Sequence, residues 1–162
     1  MNQLTNALKD ISAKRDETRQ SILAIEEKML EHEQVEIPPT HHFFEGGYGR
    51  EITIPAGTLV SGKIHKHRSL NILASGELSL LTEEGVKRLK APYVVVSPPG
   101  IKRIGYAHSD CTWICVHGTE ETDLEKIENE VIAKTFDEVQ ELSTEEILKI
   151  EKIIKEDELC HG

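Results

Sequence analysis

Aromatic residues are scarce in this 162-residue chain, at 4% of the whole, and sulfur nucleophiles are limited to Cys111, Cys115 and Cys160. Three cysteines make no disulfide framework, and an odd count suits a reducing compartment. If Cys111 and Cys115 share one strand, they sit roughly 13 Å apart at about 3.3 Å per residue, too far to bridge. Both read as small buried hydrophobes. Long apolar runs are missing: none approaches the roughly 18 to 20 residues of a membrane span, and the opening "MNQLTNALKDISAKRDETRQ" lacks a signal peptide's apolar segment. The expectation is a soluble cytoplasmic protein with one core, too short for two full-sized domains. The glycines of "EGGYG" (45 to 49) lack the Lys and Ser/Thr of a phosphate loop and read as a turn.

Positive charge is also in short supply, and its placement is uneven. The formal net charge is -10. Residues 1 to 40 carry five Lys/Arg against eight Asp/Glu, residues 41 to 119 nine against six, and residues 120 to 162 five against fifteen. The acidic tail argues against nucleic-acid binding, which needs clustered cations. The mildly basic, histidine-rich centre suits a small anionic ligand.

What is present divides into three parts. Residues 1 to 40 form an N-terminal helical arm: no Pro or Gly falls between 3 and 35, and Leu4, Leu8, Ile11, Ile22, Ile25 and Met29 follow helical spacing. The polar stretch "AKRDETRQS" (13 to 21) has no apolar seam, so one helix is exposed there or two meet, and "IPPT" (37 to 40) ends the helical run. Residues 41 to 119 are rich in Val, Ile, Leu and Thr, with turn residues every eight or so positions. Eight short strands follow: "EITI", "TLVSGKIH", "SLNILA", "ELSLLT", "VKRLK", "YVVVS", "IKRIGY" and "CTWICVH". With no helix between them, they predict a mainly β fold, an eight-stranded antiparallel barrel or jelly roll. His41 and His42, beside Phe43 and Phe44, read as an edge strand whose aromatics cover the barrel. Residues 120 to 162 form acidic C-terminal helices, with "TDLE" (122 to 125) and "STEE" (143 to 146) in capping-box arrangements. The apolar seams of both arms need a partner surface, so a homodimer or larger homo-oligomer is expected.

One stretch, "GKIHKHRSLNIL" (62 to 73), sets His65 and His67 at alternate positions, and a later turn reads "PPGIKR" (98 to 103). In a strand, residues i and i+2 share a face. The eight-strand pattern, the HxH and the PPG turn together resemble the cupin superfamily of jelly-roll barrels, over about residues 41 to 119. The run "HHFFEGGYGREITIPAGT" through "YAHSDCTWICVHGTEETDLEKIE" is also similar to small phage-encoded cupin proteins, which implies host cytoplasm as the location. In that family two motifs supply three histidines and a glutamate to a metal. Here His65 and His67 match, Asn71 stands in the glutamate position, and Arg103 stands in that of the second-motif histidine.

These matches leave several chemistries open. The resemblance implies a divalent Fe, Ni, Zn or Mn on His65 and His67, with Glu77, His108 or His117 as a third ligand. Arg103 cannot ligate a cation, but with Asn71 it makes the barrel mouth a receptor for phosphate or carboxylate. Some metal-free cupins are sugar-nucleotide epimerases with a histidine base and a tyrosine acid. That likeness implies His65 or His67 as base and Tyr106, Tyr93 or Tyr48 as acid. Trp113, which shares strand parity with Cys111, Cys115 and His117, reads as core. Three functions remain in play: an enzyme or metal protein acting on a small anionic metabolite, a silent ligand-binding cupin, and a phage structural or host-interacting scaffold assembling through its helices.

Overall fold

Gln34 donates its side-chain amide to the carbonyls of Met29 and His32, both at 2.8 Å, and so satisfies one of the acceptors that a helix leaves open at its end and one in the turn that follows. Helix α1 (Gln3–Met29) accordingly stops before the two prolines. The computed structural model describes residues 3–82 and 85–139. Beyond α1 come β1 (Thr40–Phe44), β2 (Gly47–Ile54), β3 (Leu59–Ser61), β4 (Ile64–His65), β5 (Ser69–Ser75) and β6 (Glu77–Thr82). They are followed by β7 (Gly85–Lys90), β8 (Tyr93–Ser97), β9 (Ile104–Ala107), β10 (Cys111–Gly118), α2 (Leu124–Val131), β11 (Ile132–Ala133) and a short 3-10 turn, Phe136–Glu138.

The strands form one sheet in the order β1-β2-β10-β5-β8 and another in the order β3-β9-β6-β7, every pair antiparallel. Leaving aside the edge strand β1 and the two-residue strands β4 and β11, the eight others pair in a nested way. β2 pairs with β10, β3 with β9, β5 with β8, and β6 with β7. First meets last and the middle two meet each other, which is one long hairpin wrapped over two sheets. This is the jelly roll, the fold that cupins share with lectin and capsid domains. The expected eight strands are thus present, in two sheets that do not bond into a continuous cylinder. The expected strand "TLVSGKIH" is broken at Gly62 and Lys63 into β3 and β4, and "IKRIGY" becomes extended only from Ile104.

Alternation places one side of each strand inward. Ile54, Leu73, Leu78, Leu80, Ala107 and Cys111 form the main core, with Ile52, Val60, Tyr93 and Trp113 packed against it. Gly76, at φ +88°, sits between β5 and β6, where a Cβ would fall on the Asp110 carbonyl and within 2.7 Å of Cys111 Sγ. Only glycine meets both the dihedral and the space.

Helix α1 touches the barrel through residues three and four apart, the spacing of one helical face. The Arg19 guanidinium lies over the Phe136 ring at 4.4 Å, Ile22 is 2% exposed, and Glu26 Oε1 accepts from Ser61 Oγ at 2.7 Å and Lys102 Nζ at 2.8 Å. The capping box expected at Thr122 and Glu125 is replaced by a cap one residue on: Asp123 accepts from the Lys126 N–H at 3.0 Å. Helix α2 then buries Ile127 and Val131 against Tyr48. Strand β11 pairs with β4, setting Ile132 opposite His65. The "STEE" helix lies outside the described residues.

Candidate metal and ligand site

Strand register orders the inner face of the larger sheet into rows. Phe43, Tyr48 and His117 make one row; His41, Arg50, Cys115, Asn71 and Val95 the next; Ile52, Trp113, Leu73 and Tyr93 a third; Ile54 and Cys111 the last. Along each strand the character changes in the same direction, from hydrocarbon at the Ile54 end to charged and imidazole groups at the Tyr48 end. Most of these residues, though not Phe43, Val95, Leu73, Tyr93 or Cys111, line a cavity of about 400 Å³. The smaller sheet contributes Val60, Leu78, Leu80 and Gly105, with Arg103 just ahead of β9.

Three donors converge at the polar end. His117 Nε2 lies 3.3 Å from Cys115 Sγ, Cys115 Sγ lies 4.0 Å from His65 Nδ1, and the ligating atoms of all three fall within 4.8 Å of one another. The His65 and His117 rings meet edge to face at 4.8 Å between centroids. Zinc holds imidazole nitrogen at about 2.0–2.1 Å and thiolate at about 2.3 Å. Donors this close together can therefore surround one ion, and three protein ligands leave a coordination position open. The chemistry fits a transition metal: two imidazoles and a thiol.

Burial, reinforced by His117, Arg103 and Arg50, lowers the His65 pKa to about 4. Burial likewise lowers His117, with a smaller contribution from His67. His65 is therefore neutral near pH 7, the form that ligates. Burial pushes the Cys115 thiol up against the opposing pull of Ser69, Arg50 and Arg103, so this thiol is protonated until a cation displaces the proton.

A hydrogen-bonded chain supports the cluster from below. Arg103 Nη2 and Asn71 Nδ2 both donate to Ser97 Oγ at 2.8 Å, Asn71 Nδ2 also donates to Ser69 Oγ at 3.1 Å, and Ser69 Oγ lies 3.0 Å from His65 Nδ1. Ser69, Asn71 and Ser97 are buried, so these polar groups satisfy each other where water does not reach them.

The residues read from sequence fall into two groups. His65, Asn71, Arg103 and His117 line the cavity together. His67 does not: β4 ends at His65, Lys66 N–H donates to the Val131 carbonyl, the chain bends, and His67 is exposed. Tyr48 lines the cavity, held by His41 Nδ1 at 2.7 Å from its hydroxyl, and Tyr93 packs against the core cluster. Tyr106 is 41% exposed and stacks edge-on against His108, whose Nε2 is 2.7 Å from Ser79 Oγ. Glu77 pairs with Arg88 at 2.6 Å. Tyr106, His108 and Glu77 are not among the cavity-lining residues. Cys115 and Arg50 were not singled out by the motif. For Cys115 the parity shared with Cys111, Trp113 and His117 is the signal in the sequence, and it is the signal of a core strand as well.

No protein-family model matches the chain, and no curated protein matches its sequence. Solved structures do resemble it. A cupin-2 domain protein from Shewanella frigidimarina is 14% identical with a TM-score of 0.43, over 59% of this chain and 92% of that one. A double-stranded β-helix domain protein from Klebsiella pneumoniae is 14% identical with a TM-score of 0.47, over 57% and 84%. An acetylacetone dioxygenase from Acinetobacter johnsonii is 15% identical with a TM-score of 0.44, over 52% and 61%. The first two carry the cupin or double-stranded β-helix name to which the motifs pointed. At these identities none of the three bears on the chemistry of the site.

Proposed function

We propose that the barrel is a metal-dependent binding site for a small anionic molecule. His65, Cys115 and His117 would hold the ion, and Arg50 and Arg103 would receive the anion beside it. The observation that carries this reading is the convergence of three ligating atoms within 4.8 Å on the wall of a cavity that also holds both guanidinium groups. A thiolate donor favours Zn or Fe over Mn, which prefers oxygen. When bound, such an ion acts as a Lewis acid toward a ligand oxygen. The chain's own residues bind and orient: Ser69 fixes the His65 ring through Nδ1, and Asn71 and Ser97 hold Arg103 in place.

Metal content of protein purified without an affinity tag tests the reading. Stoichiometric metal in the parent and in His67→Ala, with none in a Cys115→Ser/His117→Ala double variant, is the expected result. Equal, substoichiometric metal in parent and double variant overturns it.

A further inference from the structure

The polar end of the cavity carries more positive than negative charge: Arg50, Arg103 and Lys63 line it with one carboxylate, Glu128, and that carboxylate pairs with Lys63. Arg103 is half-buried and its hydrogen bond goes to a neutral hydroxyl, Ser97 Oγ. Arg50 stands across from Cys115 in the register, and its charge reaches His65, Cys115 and Tyr48. Among the described residues neither guanidinium forms an ion pair. Arg50 is exposed to solvent, but Arg103 is partly desolvated, and such a cation left without an ion pair is costly, the more so with a metal ion nearby. The site is short of negative charge, and one thiolate does not supply enough.

The other end has the opposite character. Ile52 and Trp113 form the row next to Arg50 and Cys115, with Ile54 below, and Val60, Leu78 and Leu80 face them from the second sheet. Of the lining residues Ile52, Ile54, Val60, Leu78, Leu80 and Trp113, only Trp113 carries a side-chain hydrogen-bond donor, its indole N–H. A bare inorganic anion would leave hydrocarbon walls facing water. A sugar or nucleotide would bring hydroxyls and ring nitrogens to walls with few groups to meet them, each at the cost of a lost hydrogen bond. What fits both halves is a molecule that is itself divided.

We infer that the cavity takes a small amphiphilic monocarboxylate, with its head on Arg50 and Arg103 and its hydrocarbon body along Ile52, Trp113 and Leu80. This rests on the proposed function for the place of the head group, and it adds the nature of the body. Two guanidinium groups, one already donating to Ser97, match the two oxygens of a carboxylate better than the three of a phosphate. The volume of about 400 Å³ lies at the lower end of the ~300–1,000 Å³ found for small-molecule pockets, which limits the body to a short chain or a single ring. Anion and metal would each strengthen the other's binding, because each offsets the charge that opposes the other.

Calorimetric titration with acetate, butanoate, hexanoate and 1-hexanol tests this on the full chain, in chelator-treated and in metal-loaded form. Affinity is expected to rise about threefold to fourfold per added methylene, the gain of burying that much hydrocarbon. Hexanoate is expected to bind at least about tenfold tighter than 1-hexanol, and Arg50→Gln to remove most of that difference while leaving 1-hexanol unchanged. Arg103→Gln repeats the test at the more buried position, and the length series on unmodified protein does not depend on either variant folding. Equal affinity along the series, 1-hexanol matching hexanoate, or no heat with any acid would each overturn the inference. Length-dependent acid binding in protein that takes up no metal upholds the ligand class and removes the metal. Stoichiometric metal with a flat series does the reverse.

Discussion

Asn71 and Arg103 donate to the same oxygen, Ser97 Oγ, each at 2.8 Å. They stand where the cupin resemblance expects a glutamate and a histidine. In place of two ligands converging on an ion, these positions hold two donors converging on a hydroxyl, and the candidate ligands beside His65 are Cys115 and His117 on β10.

Ser97 is 1% exposed, and removing its oxygen takes from Arg103 Nη2 its side-chain acceptor and leaves Asn71 Nδ2 with Ser69 alone. Ser97→Ala is expected to cost about 1–3 kcal/mol in urea unfolding with the denaturant slope unchanged. Ser97→Thr, which restores an acceptor, should recover part of the loss. Equal stability of Ser97→Ala and parent would show that the shared oxygen carries no structural weight.

His65 makes the metal-free protein acid-sensitive. Its pKa is about 4 in the folded chain, against about 6.5 when unfolded. Above pH 6.5 both states are neutral and stability is at its full value. Below that the unfolded chain takes up the proton and the native one does not, so stability falls as pH drops toward 4, by on the order of 3 kcal/mol in all. Urea midpoints between pH 7 and 4 check this, and the slope should flatten in His65→Ala.

Gly105 lines the cavity from β9, between β3 and β6 of the smaller sheet. A Cβ there would lie 3.1 Å from Leu80 Cδ2, 3.2 Å from Leu78 Cδ1 and 3.4 Å from Val60 Cγ2. Gly105→Ala is expected to destabilise by about 1–3 kcal/mol through overpacking. Thermal melting gives the number, and an unchanged midpoint would mean that these three side chains yield freely.

A cobalt-loaded sample distinguishes thiolate ligation from a nearby but uncoordinated thiol. The parent should show an intense near-ultraviolet sulfur-to-cobalt charge-transfer band that Cys115→Ser lacks and His67→Ala keeps. A band that survives in Cys115→Ser assigns the sulfur elsewhere.

Much of this fold is legible in the chain because half-buried strands must alternate, and turn residues must interrupt them. The eight segments, the edge strand at His41 and the inward parity of Trp113 all follow from that rule. Parity does not tell where a strand stops. His65 and His67 share a face only while the strand continues, yet β4 has just a two-residue partner in β11, and the Lys66 N–H turns to the Val131 carbonyl. The partner residues come from beyond position 130, so no local pattern around the HxH reveals the bend. Cys115 reads as a small buried hydrophobe for a related reason. A buried cysteine next to hydrocarbon and a cysteine next to two imidazoles look identical in sequence, and only the fold brings His65 to its side.

The wrapped hairpin also has a bearing on biosynthesis. Strand β10 is the third of five in its sheet and supplies both Cys115 and His117, yet its neighbours β2 and β5 leave the ribosome dozens of residues earlier. Until β10 emerges, β2 and β5 are exposed edges with no strand between them. Closing the sheet and completing the ligand set are therefore one event, and a nascent chain that lacks the site also lacks its larger sheet.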